Sequence, residues 1–281
     1  MNQPHTTRPS AIAGSWYPRS DRQLRAVLQE YIDRANPPAF DGKLLALIVP
    51  HAGYQYSGQT AAFAFKLLAG LSFEQVILTS PFHAFSVDAI LTTQHDAYET
   101  PLGSVPVDHA SLDQLDTQLK EAGFPGITKI RREQEHSLEI ELPFLQFMLQ
   151  QPFQLIPLMI RTHAPNALQQ LGSLLAQIAR EKSTLLVAST DLSHFNHASA
   201  AEKMDQRALD NIASLNAEKL LQDNERGAAP ACGAGAVAAL LYTAKELGAE
   251  NAHILRYSHS GHVTGDLTSV VGYGSAAAVL P

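Results

Sequence analysis

The sequence holds a single cysteine, Cys232, so no disulfide can close within the chain, and nothing points to an oxidising compartment. Long apolar runs are missing as well. The longest, such as Leu44–Val49, fall far short of the ~18 residues that a membrane-spanning helix needs. The opening segment MNQPHTTRPSAIAGSWYP lacks the apolar stretch of a signal peptide, so cytoplasm is the expected location and no membrane partner is expected. Positive charge is in deficit: 20 Lys and Arg stand against 27 Asp and Glu, a formal net charge of −7. No basic stripe is visible, which disfavours nucleic acid as a partner, because neutralising phosphates requires one. No G-x-G-x-x-G or G-x-x-x-x-G-K-[ST] motif occurs, so a nucleotide cofactor is unsupported. No G-x-S-x-G elbow occurs either, which weakens a serine-hydrolase reading.

What is present is material for a large core. Of 281 residues, 45% are hydrophobic and only 17% charged, a balance opposite to that of disordered chains. Apolar strand-like runs fall at Leu44–Pro50, Glu74–Ser80, Asp88–Thr92, Gln154–Ile160, Thr184–Ser189, Ile254–Ser258 and Ser269–Ala277. Several are continuous rather than alternating, the pattern of strands covered on both faces. Helix-period segments lie between them: 20–35, where Ser20 is a candidate N-cap, then 58–69, 111–122, 136–150, 166–182, 200–214, 216–221 and 234–247. This alternation predicts an α/β fold with a mixed, mainly parallel sheet and helices on both faces. No repeat or linker-like stretch divides it, so residues 1–281 are expected to form one domain.

The chain has 12 histidines, and their placement matters more than their number. The run ending at Pro50 leads into His51, the one ending at Ser80 into Pro81-Phe82-His83, and the one ending at Ser189 into Thr190-Asp191-Leu192-Ser193-His194. One histidine after a strand is ordinarily a loop residue. Three at equivalent positions are harder to assign that way, because ligands of open α/β sheets bind outside the carboxyl ends of the strands. Strands about 4.8 Å apart would bring such side chains to one small centre. Cys232-Gly233 precedes the predicted helix 234–247. A thiol at a helix N-terminus is drawn toward thiolate, the metal-ligating form; the alternative is a small buried hydrophobe. Glu135-His136-Ser137 opens another helix, where His136 is a candidate acid/base or orienting group, or simply a polar helix start.

These segments together resemble the Memo family (AmmeMemoRadiSam system protein B). The resemblance rests on Ala13-Gly14-Ser15-Trp16-Tyr17-Pro18, on Pro50-His51-Ala52-Gly53-Tyr54-Gln55-Tyr56-Ser57-Gly58, on Glu135-His136-Ser137-Leu138-Glu139 with Leu142-Pro143-Phe144, on Asp191-Leu192-Ser193-His194, and on Cys232-Gly233, all in family order. It implies a fold similar to the class III extradiol ring-cleaving dioxygenases, which use non-haem iron. It also implies a metal site of His51, His83 and Cys232, with Asp191 and His194 beside it. A cysteine where those dioxygenases have a carboxylate is a softer ligand, suited to copper(I), zinc or a sulfur-tuned iron. Ring cleavage therefore does not carry over with the fold. The family's Gly-Pro-Ser-His-His is here Ser80-Pro81-Phe82-His83-Ala84, which removes a hydroxyl and a histidine beside the expected ligand.

Three functions follow as expectations. The first is an iron or copper redox enzyme in which His51, His83 and Cys232 bind metal, while His194, oriented by Asp191, moves protons with His136 nearby. The second is a binding protein without turnover, taking a small molecule or peptide. The resemblance also allows a place beside a radical-SAM pathway protein. The third is a zinc-dependent hydrolase, since two histidines and a thiolate leave a position open for water.

Overall fold

Continuous apolar runs such as Leu44–Val49 have no polar face to show to water, and the chain buries them in full as central strands. The computed structural model describes residues 6–149 and 151–281; His5 and Gln150, the last residue of the predicted helix 136–150, lie outside the described residues. In chain order the strands are β1 (Thr7–Arg8), β2 (Lys43–Val49), β3 (Gln75–Pro81), β4 (Ile90–Thr93), β5 (Ala97–Thr100), β6 (Gly103–Pro106), β7 (Thr128–Ile130), β8 (Gln154–Ile160), β9 (Thr184–Ser189), β10 (His194–Asn196), β11 (Ala252–His259) and β12 (Val270–Leu280). The helices are α1 (Asp21–Arg34), α2 (Tyr54–Phe65), α3 (His109–Glu121), α4 (His136–Glu139), α5 (Leu142–Leu149), α6 (Pro165–Glu181), α7 (Ala198–Ala213), α8 (Ala217–Glu225), α9 (Ala234–Glu246) and α10 (Gly261–Thr264).

The expected α/β architecture with a mixed sheet is the one observed. The main sheet follows the path β10-β12-β2-β9-β3-β8-β4-β7, with β11 also paired to β12. Its centre, β2-β9-β3-β8, is parallel, while β12 and β4 join it antiparallel. Parallel strands need crossover connections, which α2 provides between β2 and β3 and α6 between β8 and β9, each passing over one intervening strand. A smaller sheet has the order β1-β5-β6. Helices α1, α2 and α5 form one packed group against the sheet, and α6, α8 and α9 another. No helix among the described residues is long and apolar enough to cross a membrane.

Helix α2 starts at Tyr54, earlier than the predicted Gly58, because Gly53 caps it and the Tyr54 hydroxyl anchors its first turn on the Ile140 carbonyl at 2.9 Å. The predicted helix 136–150 is broken into α4 and α5. Pro143 has no N–H to continue the hydrogen-bond ladder and disfavours helical backbone in the residue before it. Ser20 stands at the N-cap of α1, but its side chain makes no capping bond. Strands β1, β5, β6, β7 and β10, of two to four residues each, carry too few positions for a periodic pattern.

Helices α6 and α9 pack against each other at close range through Gly172. A Cβ on Gly172 would sit 2.5 Å from Cβ of Tyr242 and 3.1 Å from the Thr243 backbone nitrogen. Gly172→Ala forces the two helices apart, and overpacking of this kind costs about 1–3 kcal/mol. A urea unfolding curve should shift to a lower midpoint, by that free energy divided by the m-value, although alanine is the better helix former.

Candidate metal centre

Because β2, β9 and β3 run parallel and in register, with Val49 opposite Ser189 and Thr79 opposite Ala188, the residues that follow them emerge at one edge of the sheet. His51, two residues beyond β2, is buried. Its backbone N–H donates to Asp191 Oδ1 at 2.8 Å, and its Nδ1 lies 2.8 Å from Oγ of Ser189, the last residue of β9. His83, two residues beyond β3, is held by Glu135: its backbone N–H donates to Oε2 at 2.6 Å and its Nδ1 lies 2.9 Å from Oε1. The same carboxylate caps α4, accepting from the backbone N–H groups of His136 at 3.0 Å and Ser137 at 2.9 Å. One carboxylate thus sets the positions of two histidines.

The three rings converge. Ring centroids are 5.4 Å apart for His51 and His83, 5.5 Å for His51 and His136, and 4.6 Å for His83 and His136. One ligand atom from each of the three lies within 4.8 Å of the other two. Since Nδ1 of His51 faces Ser189 and Nδ1 of His83 faces Glu135, Nε2 is the nitrogen each ring turns away from those partners, with Cys232 Sγ 3.2 Å from that of His51. A carboxylate or hydroxyl behind the ligating histidine is the arrangement that fixes ring orientation at metal sites.

Electrostatics favour the neutral form at His51 and His136. Burial, and then the neighbouring His136 and His83, push His51 well below the ordinary 6.5, and burial lowers His136 as well. His83 goes the other way: burial pulls it down, but the hydrogen bond and charge of Glu135 outweigh that and leave it raised. Glu135 is correspondingly held well below the carboxylate range, burial opposing and His83 prevailing. Asp191 is pushed up to about 7 by burial, against the hydrogen bonds it accepts from the backbones of His51 and Ala52.

The other expected residues are placed as follows. Cys232 Sγ is 3.2 Å from Nε2 of His51 and accepts from the Asp191 N–H at 3.2 Å, but it lies outside the mutually close set of three histidines. Its thiol is pushed up, by burial first and the Asp191 charge second, so in the metal-free protein it is not the lowered thiol that its position before a helix suggested. Asp191 does not orient His194. The Nδ1 of His194 lies 2.8 Å from the Leu192 carbonyl, which can only accept, so Nδ1 carries hydrogen and Nε2 is the free nitrogen. His197 caps α7 by accepting from the Ser199 N–H.

His51, His83, His136, Asp191 and His194 line one cavity of about 510 Å³, with Trp16, Tyr56 and Tyr273 completing its aromatic wall. Trp16 packs on His136 with ring centroids 4.4 Å apart. It is held there by the N-terminal segment, which docks on the buried Glu139. That carboxylate accepts from Arg8 Nη1 at 2.6 Å, Ser10 Oγ at 2.6 Å, Tyr17 OH at 2.8 Å and the Ala11 backbone N–H at 2.9 Å, while Arg8 also pairs with Glu133. Trp16, Glu135 and Ser189 are the site residues that sequence reasoning missed as such. The signal was available for two of them, since Trp16 and Glu135 belong to the segments that carry the family resemblance.

The family model described as "Memo-like protein" matches residues 8–277. The chain belongs to the Memo family. It is 33% identical over 273 residues to a MEMO1 family protein of Nitrosopumilus maritimus, covering 95% of this chain and 98% of that one. It is 32% identical over 278 residues to one of Methanopyrus kandleri, covering 95% and 97%. Among solved structures, an uncharacterized protein of Escherichia coli K12 aligns with a TM-score of 0.51 and 14% identity over 83% of this chain and 99% of that one, a likeness of fold alone.

In this Memo-family chain the Cys232 loop is drawn against the end of β9 through Gly233. A Cβ there would come 2.4 Å from the Ser189 carbonyl oxygen. The departure at Phe82 and Ala84 leaves His83 with Glu135 as its hydrogen-bonding side-chain partner among the described residues. Glu135→Gln removes the charge that raises His83 and keeps the burial that lowers it. The imidazole midpoint of His83, followed by NMR titration, should then fall below the ordinary 6.5.

Proposed function

We propose that this Memo-family chain is a transition-metal protein working as an iron or copper oxidoreductase. His51 and His83 are its common pair of donors, Cys232 supplies sulfur and His136 a third imidazole. The observation that carries this reading is the convergence of three ring nitrogens within 4.8 Å of one another at the floor of a cavity. The fit to a metal is chemical as well as spatial. Burial keeps His51 and His136 in the neutral form that ligates metals, and the sulfur beside Nε2 of His51 favours softer ions over magnesium or calcium.

A bound iron or copper would supply electron transfer with a small molecule or peptide segment held in the cavity. The chain's own residues do the rest. His194 presents Nε2 to the cavity as a proton acceptor, and Asp191, poised at about 7 by burial, can hold or release a proton beside His51. Trp16, Tyr56 and Tyr273 give the bound molecule flat apolar contacts. The free thiol suits a reducing compartment, and we assign the chain to the cytoplasm. The three-histidine set itself favours a second reading, zinc-dependent hydrolysis, because three imidazoles without thiolate are a known catalytic zinc donor set.

Elemental analysis of protein purified without added metal separates the two, and anaerobic titration with iron(II), copper(I) or zinc ranks them. Micromolar or tighter binding is expected. His51→Ala and His83→Ala should each abolish it. Cys232→Ser should weaken it by at least ~10-fold and remove the sulfur-to-metal charge-transfer band of the cobalt(II) form. Stoichiometric zinc with hydrolase activity would install the second reading, and no metal bound at micromolar concentration would end both.

A further inference from the structure

Ser189 Oγ has three close neighbours and one hydrogen to share among them. They are Nδ1 of His51 at 2.8 Å, the Ser137 carbonyl at 2.7 Å and Oε1 of Glu141 at 2.7 Å. Ser189, Ser137 and Glu141 are all about 1% exposed or less, so water does not relieve a mismatched contact here. A hydroxyl donates once and accepts twice, and the Ser137 carbonyl can only accept. If Nδ1 of His51 were the lone-pair nitrogen, it would claim the single hydrogen, and oxygen lone pairs would face each other across 2.7 Å at Ser137. If Glu141 were ionised, it would compete with the Ser137 carbonyl for that hydrogen, and the loser would be an unmatched buried acceptor, which costs about 1–3 kcal/mol. One assignment satisfies every contact: Ser189 donates to Ser137, His51 donates from Nδ1, and Glu141 donates from a protonated carboxyl.

We propose that Ser189 is the positioning residue that fixes the tautomer of His51, hydrogen on Nδ1 and lone pair on Nε2, with Glu141 serving it as a neutral carboxylic acid. Among the described residues no lysine or arginine pairs with Glu141, and a buried carboxyl without a cation is more stable neutral. Burial, in line with this, holds Glu141 well above the carboxylate range, aided by the Asp191 charge and opposed by the Ser189 hydrogen bond. Glu141 was not among the candidate site residues; it does not line the cavity, and its side chain meets Ser189. It acts one hydroxyl away, keeping the hydrogen of Ser189 turned from the imidazole. Only the effect on metal affinity rests on the metal reading above; the protonation states do not.

The test uses the full chain without added metal at neutral pH. In ¹⁵N-histidine NMR spectra, with His51 assigned by its loss in His51→Ala, the wild-type chain should show hydrogen on Nδ1. An infrared difference spectrum, wild type minus Glu141→Gln, should contain a protonated-carboxyl C=O band. Glu141→Gln, whose amide also donates to Ser189, should leave the His51 tautomer unchanged. Ser189→Ala should give a tautomer mixture and weaken zinc binding about 10–100-fold. Hydrogen on Nε2 of His51 in the wild type, or no protonated-carboxyl band, overturns the proposal. A wild-type chain that shows both signatures yet binds no zinc upholds it and refutes the metal reading alone. Should Ser189→Ala not fold, the wild-type and Glu141→Gln spectra decide the matter by themselves.

Discussion

The parallel ladder of β2, β9 and β3 is the constraint on which the rest of this molecule depends. Parallel strands must all end at the same edge, and their continuous hydrogen-bonded register leaves no freedom in how far each one projects. The Thr190 N–H, donating to the Val49 carbonyl at 2.8 Å, extends that register past the last regular pair, and the Asp191 carboxylate then accepts from the His51 N–H, so the loops at the edge inherit the precision of the sheet. Everything chemical sits on this platform, and the helical groups on the sheet serve to keep its apolar strands out of water.

One short stretch, residues 135 to 141, then supplies three glutamates that live in different environments. Glu135 is an ionised acceptor shared by His83, His136 and Ser137. Glu139 is buried against Arg8 and fastens the N-terminal segment with Trp16 to the cavity wall. Glu141 is buried, and among the described residues no lysine or arginine pairs with it. Identical side chains are told apart by their neighbours: a histidine, an arginine or a lone hydroxyl. Glu135 stands outside α4 as its N-cap, Glu139 ends that helix and Glu141 lies in the turn before α5, so each occupies a different backbone setting.

The fold class was legible because the central strands are long, apolar and separated by helix-period segments. Gln154–Ile160 and Thr184–Ser189 coincide with β8 and β9 to the residue. Helix boundaries were less so where a tertiary contact decides them, as the Tyr54 hydroxyl does for α2. At the site, the placement of His51, His83 and His194 after strands could be read from the sequence, since strand ends are visible there. The partners of those histidines could not. That Leu192 rather than Asp191 orients His194 is settled by backbone geometry within one tight turn. That Glu135 serves His83 depends on the packing of segments 52 residues apart. The environment of Cys232 was not legible from its position before a helix, because burial and then the Asp191 charge raise the thiol against any pull of the helix N-terminus.

The missing side chain at position 233 has a mechanical meaning. With the Ser189 carbonyl filling the space where a methyl group would stand, the polypeptide before α9 lies directly on the end of a core strand. The backbone that carries the sulfur one residue earlier is therefore braced by the sheet and does not hang on a free loop.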